Sequence, residues 1–138
     1  MVTRYDTNTI RIMNLFENLT GAPVRDCVVE EDSVYVVVEE GCIAMAIGKN
    51  GNNVKNAEKL IGKSIKVFEF SSSLEKFLKN LIPQALKITV REEEGKKIVE
   101  VRVDKTERPI VIGREGKNLK IFKELLKRNH KVDDLIIR

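Results

Sequence analysis

One short motif, two glycines separated by two variable residues, occurs twice in this chain. Residues 47–51 read Ile-Gly-Lys-Asn-Gly and residues 112–116 read Ile-Gly-Arg-Glu-Gly, so the copies lie 65 residues apart. Glycine carries no Cβ, and two glycines three positions apart let another chain approach the backbone closely. In a basic protein, the partner that fits such a turn is a nucleic-acid backbone. The motif therefore predicts two nucleic-acid-binding turns.

Each motif is followed by residues that predict an amphipathic helix. Its free N–H groups and its dipole favour a phosphate at the turn. Lys49 and Arg114 occupy the first variable position and can reach phosphates as mobile cations. We expect apolar residues beside each turn to form a floor for bases, and the basic residue one turn later to extend the contact. The candidate residues are Ile47, Gly48, Lys49, Asn50, Gly51, Val54 and Lys55 in the first copy and Ile112, Gly113, Arg114, Glu115, Gly116, Leu119 and Lys120 in the second.

The two copies differ at the second variable position. Glu115 offsets the charge of Arg114, whereas neutral Asn50 follows Lys49, so the second turn is the weaker candidate. A single Gly-x-x-Gly could be only a tight corner between helices, because short glycine motifs are weak signals. Two copies at one offset, with Asn53 matching Asn118, favour binding over that interpretation.

Composition restricts the function classes. The 138 residues are 42% apolar and 33% charged with a net charge of +4, which is typical of a globular protein with a mild preference for anionic partners. No apolar run approaches membrane-spanning length and the N-terminus is not a signal peptide, so we expect a cytoplasmic protein without a membrane partner. Cys27 and Cys42 are expected to be buried free thiols, with an intracellular disulfide as the alternative. With one histidine, His130, expected at the surface, the sequence predicts no metal site, cofactor or small-molecule substrate.

Hydrophobic periodicity predicts the same element order in each half: helix, strand, strand, helix, Gly-x-x-Gly, helix, strand. We place the first domain at residues 1–70 and the second at 71–138, with the serines at 71–73 at the boundary. The first half is predicted to contain a helix capped by Thr7 or Asn8, strands at 24–30 and 33–39, helices at 42–47 and 52–61, and a strand at 65–70. The second half is predicted to contain a serine-capped helix ending at Pro83, strands at 85–92 and 97–103, helices at 108–112 and 117–128, and a strand at 135–137.

The apolar positions of the helices predict which faces are buried. In the first helix we expect Ile10, Met13, Leu15, Phe16 and Leu19 inside. The helix after the first motif should bury Val54, Ala57, Leu60 and Ile61, and the helix after the second should bury Leu119, Phe122, Leu125 and Leu126.

The element order and the turns together resemble type II KH domains, which clamp about four nucleotides of single-stranded nucleic acid with a GXXG loop. The stretch 46–55, Ala-Ile-Gly-Lys-Asn-Gly-Asn-Asn-Val-Lys, is similar to the KH signature of the NusA transcription factors. The chain as a whole resembles the short archaeal NusA proteins. The resemblance implies an α+β fold of two tandem KH domains, each with a three-stranded sheet packed by helices. It also implies that the candidate residues above bind RNA, and that segments 65–68 and 135–137 present a backbone edge to the bases.

The resemblance further implies a single-stranded RNA-binding protein in transcription termination or antitermination. RNA polymerase is the second partner it suggests, although the polymerase-binding domain and OB-type barrel of bacterial NusA have no counterpart in these residues. The alternatives are a KH adaptor associated with the ribosome or RNA processing, and a protein-interaction scaffold. An enzyme is the least favoured reading, because the sequence holds no base–nucleophile pair, metal cluster or cofactor loop with usable spacing.

Overall fold

The computed structural model describes residues 5–138, which form two compact units, one ending at Ser72 and the other spanning Ser73–Arg138. The first four residues of the expected first domain lie outside the described part of the chain. Each unit has the predicted order of one helix, two strands, two helices and one strand. The α+β fold, with one three-stranded sheet per unit, is confirmed.

The elements of the first unit follow the predicted ranges to within two residues. Its short helix and the next helix are separated by one tight 3-10 turn, Lys49–Gly51, which contains the variable residues of the first motif. The elements are α1 (Thr7–Thr20), β1 (Val24–Val29), β2 (Ser33–Val38), α2 (Ile43–Ile47), α3 (Asn52–Ile61) and β3 (Ser64–Glu69).

The second unit repeats this arrangement with a longer final helix. The corresponding tight turn is Arg114–Gly116. The last helix was predicted to end at 128 but continues to His130, where Lys131 adopts a left-handed conformation and closes it. The elements are α4 (Leu74–Leu81), β4 (Lys87–Glu93), β5 (Lys96–Arg102), α5 (Arg108–Ile112), α6 (Lys117–His130) and β6 (Asp134–Ile137).

Both sheets have the same topology, with the middle strand of the sequence at the centre. In the first unit β2 pairs antiparallel with β1 and parallel with β3. In the second, β5 pairs antiparallel with β4 and parallel with β6. A parallel return requires a crossover connection, and the two helices flanking each glycine turn provide it. The turn is therefore held between a sheet edge and two helix ends.

Helices cover one face of each sheet. In the first unit α1 contacts β1 and α3, and α2 contacts α3 and β3. The core between them consists of Ile12, Phe16, Ala22, Cys27, Val34, Val36, Val38, Ala46, Ala57 and Ile65. In the second unit the buried residues include Phe77, Leu78, Leu81, Val99, Val101, Ile121, Phe122, Leu125, Leu126 and Leu135. Valines of the central strands face these cores, namely Val34, Val36 and Val38 in β2 and Val99 and Val101 in β5.

The predicted cap of α1 was wrong. The N-cap is Asp6, one residue before the two candidates, and its carboxylate accepts a hydrogen bond from the Thr9 N–H at 2.7 Å. A carboxylate at this position satisfies an N–H that the helix leaves unpaired and also interacts favourably with the helix dipole. The predicted serine cap of α4 is confirmed, since the Ser73 hydroxyl accepts from the Lys76 N–H.

Three residues assigned to buried helix faces are exposed. The exposed fractions are 47% for Ile10, 39% for Leu19 and 59% for Leu60. Phe16 is buried as predicted, but the other buried residues of α1 are Ile12 and two threonines, because a helix on a three-stranded sheet buries only a narrow band. Helical spacing alone did not decide which side of the apolar arc faces the sheet.

The cysteines and the histidine depart in part from expectation. Both thiols are free, but Cys27 alone is buried and Cys42 is half-buried. His130 is half-buried rather than a bare surface residue, and its ring lies 5.3 Å from that of Phe77, centroid to centroid. The contact arises because the end of α6, where His130 lies, packs back on α4.

Candidate nucleic-acid interface

The two glycine turns have nearly the same backbone. The first glycine has φ 76° and ψ 173° at Gly48, and φ 80° and ψ 170° at Gly113. This region of backbone space is essentially open only to glycine. In both turns the N–H of the fourth residue donates to the carbonyl of the first at 3.1 Å. The duplicated sequence therefore encodes one duplicated turn.

An asparagine from the following helix fixes each turn. The Asn53 side chain amide donates to the carbonyl of Met45 at 2.8 Å, and Asn118 donates to that of Ile110 at 3.3 Å. A Cβ on Gly48 would lie 2.6 Å from the Asn53 Cγ, which is too close for any side chain. The first glycine is thus required both by its dihedral angles and by the asparagine packed against it. The sequence showed these asparagines only as a repeat, without a role.

The exposed half of the turn leaves space for a ligand. Asn50 and Glu115 both have φ 57° and ψ 25°, a left-handed conformation that asparagine tolerates well and glutamate less so. The second glycine caps the next helix at φ 74° in Gly51 and φ 73° in Gly116. A Cβ on Gly116 would meet nothing within 4 Å, so this side of the turn is open to another molecule.

No side chain caps the helix that follows either turn. The first N–H groups of α3 and α6 therefore lie beside the open glycine without a capping carboxylate or hydroxyl. The first N–H of each helix already bonds within the turn, from Asn52 to the Lys49 carbonyl and from Lys117 to the Arg114 carbonyl. The feature that attracts an anion here is therefore the positive end of the helix dipole.

Four basic side chains surround the turns as predicted. Lys49, Lys55, Arg114 and Lys120 are all exposed. None of them forms an ion pair within residues 5–138, so their charge is available to a ligand. Glu115 is exposed next to Arg114 and reduces the local positive charge in the second turn only.

Apolar side chains lie on the helices before and after each turn. Ile47 is 41% exposed, and Val54, Ile112 and Leu119 are half-buried, so the predicted floor contains both accessible and covered surface. Two further residues were missed. Met45 is 51% exposed and Ile110 is 62% exposed, and they are 65 residues apart like the motifs themselves. Their matching positions were the signal that could have identified them.

The strand after α3 offers part of an open edge. The Phe70 N–H donates to the Val38 carbonyl. The backbone N–H and C=O groups of the even-numbered residues of β3 therefore bond to β2, and those of the odd-numbered residues face away from β2. The outward N–H of Ile65 is taken by the Glu58 carboxylate at 2.9 Å. Within the predicted edge segment 65–68, Val67 is therefore the residue that presents its backbone groups to a ligand.

The second unit repeats this arrangement. The Arg138 N–H donates to the Val101 carbonyl, which leaves Leu135 and Ile137 pointing outward. Asp134 accepts from the Leu135 N–H at 2.9 Å. Ile137 thus corresponds to Val67, and in each unit a carboxylate occupies the first outward amide of the segment.

The acidic residue Asp104 positions the start of α5. The Asp104 carboxylate accepts hydrogen bonds from the Thr106 N–H at 3.0 Å and its hydroxyl at 2.9 Å, and these bonds lower the pKa of Asp104 below its ordinary value. Its backbone carbonyl accepts from the Arg108 N–H at 3.0 Å. Asp104 therefore fixes where α5, and with it the second glycine turn, begins.

The basic face of α3 beyond the turn is not a simple positive track. Lys55, Lys59 and Lys63 line a shallow depression of about 460 Å³, but acidic Glu31, Asp32 and Glu58 line it as well. The Lys63 ammonium donates to the Glu30 carbonyl at 2.7 Å. Among the described residues, no group of three or more His, Cys, Asp and Glu side chains could hold a metal, and no helix is long and apolar enough to cross a membrane.

Two helices joined by a glycine turn and packed on a three-stranded sheet occur in both units, and this arrangement defines a protein with two KH domains. Residues 11–73 match the KH domain family, and residues 71–130 match the KH domain of KhpA/KhpB. The chain belongs to the family of archaeal NusA proteins, as the relatives below show, and the resemblance seen in the sequence is confirmed.

The relatives match over most of their length. A probable transcription termination protein NusA of Methanococcus vannielii is 40% identical over 86% of this chain and 70% of its own. The protein of the same description from Halococcus morrhuae is 31% identical over 97% of this chain and 96% of its own. The crystal structure of APE1850 matches with a TM-score of 0.79 at 33% identity and covers 97% of this chain and 100% of that one.

Proposed function

We propose that this protein binds single-stranded RNA through its two glycine turns and acts in transcription termination or antitermination. KH domains bind RNA, and the relatives are described as probable transcription termination proteins. We further propose RNA polymerase as a second partner and the cytoplasm as the location, in keeping with a role at the nascent transcript.

The observation that carries the proposal is the duplicated turn itself. Two turns with the same dihedral angles, each fixed by an asparagine, leave an open glycine, an uncapped helix and exposed cations at the same place. A mere corner between helices would need the first glycine but not the uncapped helix or the free cations.

Each turn is proposed to act through the same residues. The backbone of the RNA lies against Gly51 or Gly116, with a phosphate at the N–H groups of the next helix. Lys49 and Lys55 in the first unit, and Arg114 and Lys120 in the second, supply mobile positive charge. Bases rest on the apolar surface of the two helices beside the turn and meet the strand edge at Val67 or Ile137.

The test places acids where the phosphate is proposed to lie. Replacing Lys49 and Asn50 by Asp is expected to weaken binding of single-stranded RNA at least tenfold, with unchanged circular dichroism and melting temperature. The control replaces Lys76 and Asn14, which are exposed on α4 and α1, by Asp. Because both double variants change net charge equally, a loss shared by the control would show a general charge effect and contradict the proposed site.

The salt dependence of binding gives an independent measure. If three to five cations contact phosphates, the slope of log affinity against log salt is about −2 to −3.5, since each contact with a single strand contributes about −0.7. A flat response would favour a protein-interaction scaffold. Tighter binding to duplex than to single strand would also contradict the proposal, because this groove needs unstacked bases.

A further inference from the structure

The face of the second sheet that is turned away from its core carries a row of cations. Lys87 on β4 lies directly opposite Arg102 on β5. Arg138 lies on the other side of Arg102, because its N–H donates to the Val101 carbonyl and its carbonyl accepts from the Val103 N–H. At a spacing of about 4.8 Å between strands, the three positive side chains cross the sheet side by side.

These cations line an open depression of about 320 Å³ together with Thr89 and Glu100. Lys87, Thr89 and Arg102 are exposed, and the Arg138 side chain is 64% exposed. Among the residues that the structure describes, no apolar side chain is part of the lining. The depression is therefore a polar, positively charged surface on a rigid sheet.

The one carboxylate in the depression is already paired. Glu100 Oε2 accepts from Arg91 at 2.8 Å, and its Oε1 lies 2.7 Å from the Arg138 Nε. Glu100 thus orients two guanidinium groups, and its charge is shared between them. Within residues 5–138, Lys87 and Arg102 have no ion-pair partner, which leaves the depression with excess positive charge.

Such a row opposes the stability of the sheet. Like charges directly opposite on neighbouring strands repel each other, and a neutral or oppositely charged pair would stabilise the sheet instead. The fold does not require the cations, because the first sheet has the same topology with Asp26 and Val37 at the positions of Lys87 and Arg102. Both of those residues are buried, at 1% and 0% exposure. The cationic face is specific to the second unit.

We propose that this cationic sheet face, defined by Lys87, Thr89, Arg102 and Arg138, is an additional binding site for the phosphate backbone of RNA, separate from the glycine turns. The inference rests on the proposed RNA binding. The helices and the glycine turn pack on the opposite face of the sheet, so this site contacts the part of an RNA that extends beyond the groove.

An acidic protein segment is the competing ligand for such a surface. Protein interfaces depend on aromatic or aliphatic anchors that fill pockets at their centre, and this lining contains none. A nucleic-acid backbone instead offers a series of negative charges and oxygen acceptors, which suits three cations and a hydroxyl in a row. The composition of the face therefore favours RNA.

The test compares a long and a short RNA on the intact chain. Replacing Lys87 and Arg102 by Gln is expected to weaken binding of a single strand of about 20 nucleotides roughly fivefold and to reduce the salt slope by about 1.4, the value for two phosphate contacts. A strand of about four nucleotides fills one groove only, so its affinity is expected to stay unchanged. The matched control replaces Lys76 and Lys127, which are exposed elsewhere in the same unit, by Gln.

The fold of the variant is checked by its melting temperature, which should equal or exceed that of the parent because the repulsion is removed. Unchanged affinity for the long RNA, equal loss with the control, or equal loss for the short RNA would overturn the proposal. So would binding of poly-glutamate that depends on Lys87 and Arg102 while RNA binding does not. If the parent binds no RNA at all, the proposed function itself fails, whereas a parent that needs Lys49 but not Arg102 refutes only the sheet site.

Discussion

The side chain of Asn53 occupies the space in which a Cβ of Gly48 would lie, with its Cγ 2.6 Å from that position. The same amide reaches back to the last turn of α2. One asparagine therefore joins the two helices of the motif and makes glycine the only residue that fits between them.

We expect Gly48→Ala to disrupt the first turn. The dihedral angles of Gly48 cost a side chain about 1 to 3 kcal/mol, and the collision with Asn53 adds to this cost. The free energy of unfolding of the first unit, measured by urea denaturation, should fall by at least about 2 kcal/mol.

The matched control for this change is Gly62→Ala. Gly62 also has a positive φ, 79°, but a Cβ there meets nothing within 4 Å. It should cost only the left-handed backbone penalty of about 1 kcal/mol. Equal losses from the two substitutions would show that Asn53 moves aside readily and plays no part in fixing the turn.

The second turn should improve when its acid is removed. Glu115→Asn gives the second turn the same residue type as position 50 of the first. It relieves the backbone strain of a glutamate in the left-handed conformation and removes a negative charge beside the proposed phosphate. We expect RNA affinity to rise roughly fivefold, since a unit charge at about 4 Å in water is worth about 1 kcal/mol. Fluorescence anisotropy with a labelled single strand measures the change.

Glu94→Asn provides the control, because Glu94 also has a left-handed backbone, with φ 52°, but lies in the hairpin turn between β4 and β5. It should relieve backbone strain without changing RNA affinity. The same measurement ranks the two turns: Lys49→Asp should cost more affinity than Arg114→Asp, where Glu115 has already lowered the positive charge. A larger loss from Arg114→Asp would reverse the ranking.

The cap of α1 predicts how stability depends on pH. The hydrogen bonds from Thr9 lower the pKa of Asp6 in the folded protein below its ordinary value. A lowered folded pKa means that the stabilisation is fully present above the unfolded pKa and disappears as the pH falls through the folded value. Between pH 5 and strongly acidic solution, about pH 2, the parent should therefore lose this contribution.

Asp6→Asn keeps a good N-cap that cannot titrate. Its melting temperature, followed by far-ultraviolet circular dichroism, should thus fall less on acidification than that of the parent. An identical decline in both proteins would mean that the Asp6 charge contributes nothing to the stability of the helix.

Much of this architecture could be predicted from the sequence because it depends on local sequence patterns that occur in both halves of the chain. Hydrophobic periodicity and the duplicated motif each indicate an element without long-range information. The repeat mattered most, since it allowed the weaker second copy to be placed by the first. It also pointed to the positions that the structure shows as one turn used twice.

The parts that could not be predicted depend on packing between elements. Ile10 and Leu60 satisfy helical spacing, yet the sheet covers only part of the apolar arc, so both remain exposed. His130 contacts Phe77 only because the end of α6 returns to α4. The two residues are far apart in the sequence. The cationic sheet face was invisible for the same reason, because Lys87, Arg102 and Arg138 come together only through strand pairing.

In each glycine turn, the residues that fix the backbone differ from the residues proposed to contact RNA. Gly48 and Asn53 set the backbone from beneath, while Lys49 and Asn50 extend into solvent. The two variable residues of either turn can thus be substituted while the residues that fix its backbone stay unchanged. The RNA preference of one turn could therefore be changed by engineering while the sequence of the other turn is kept.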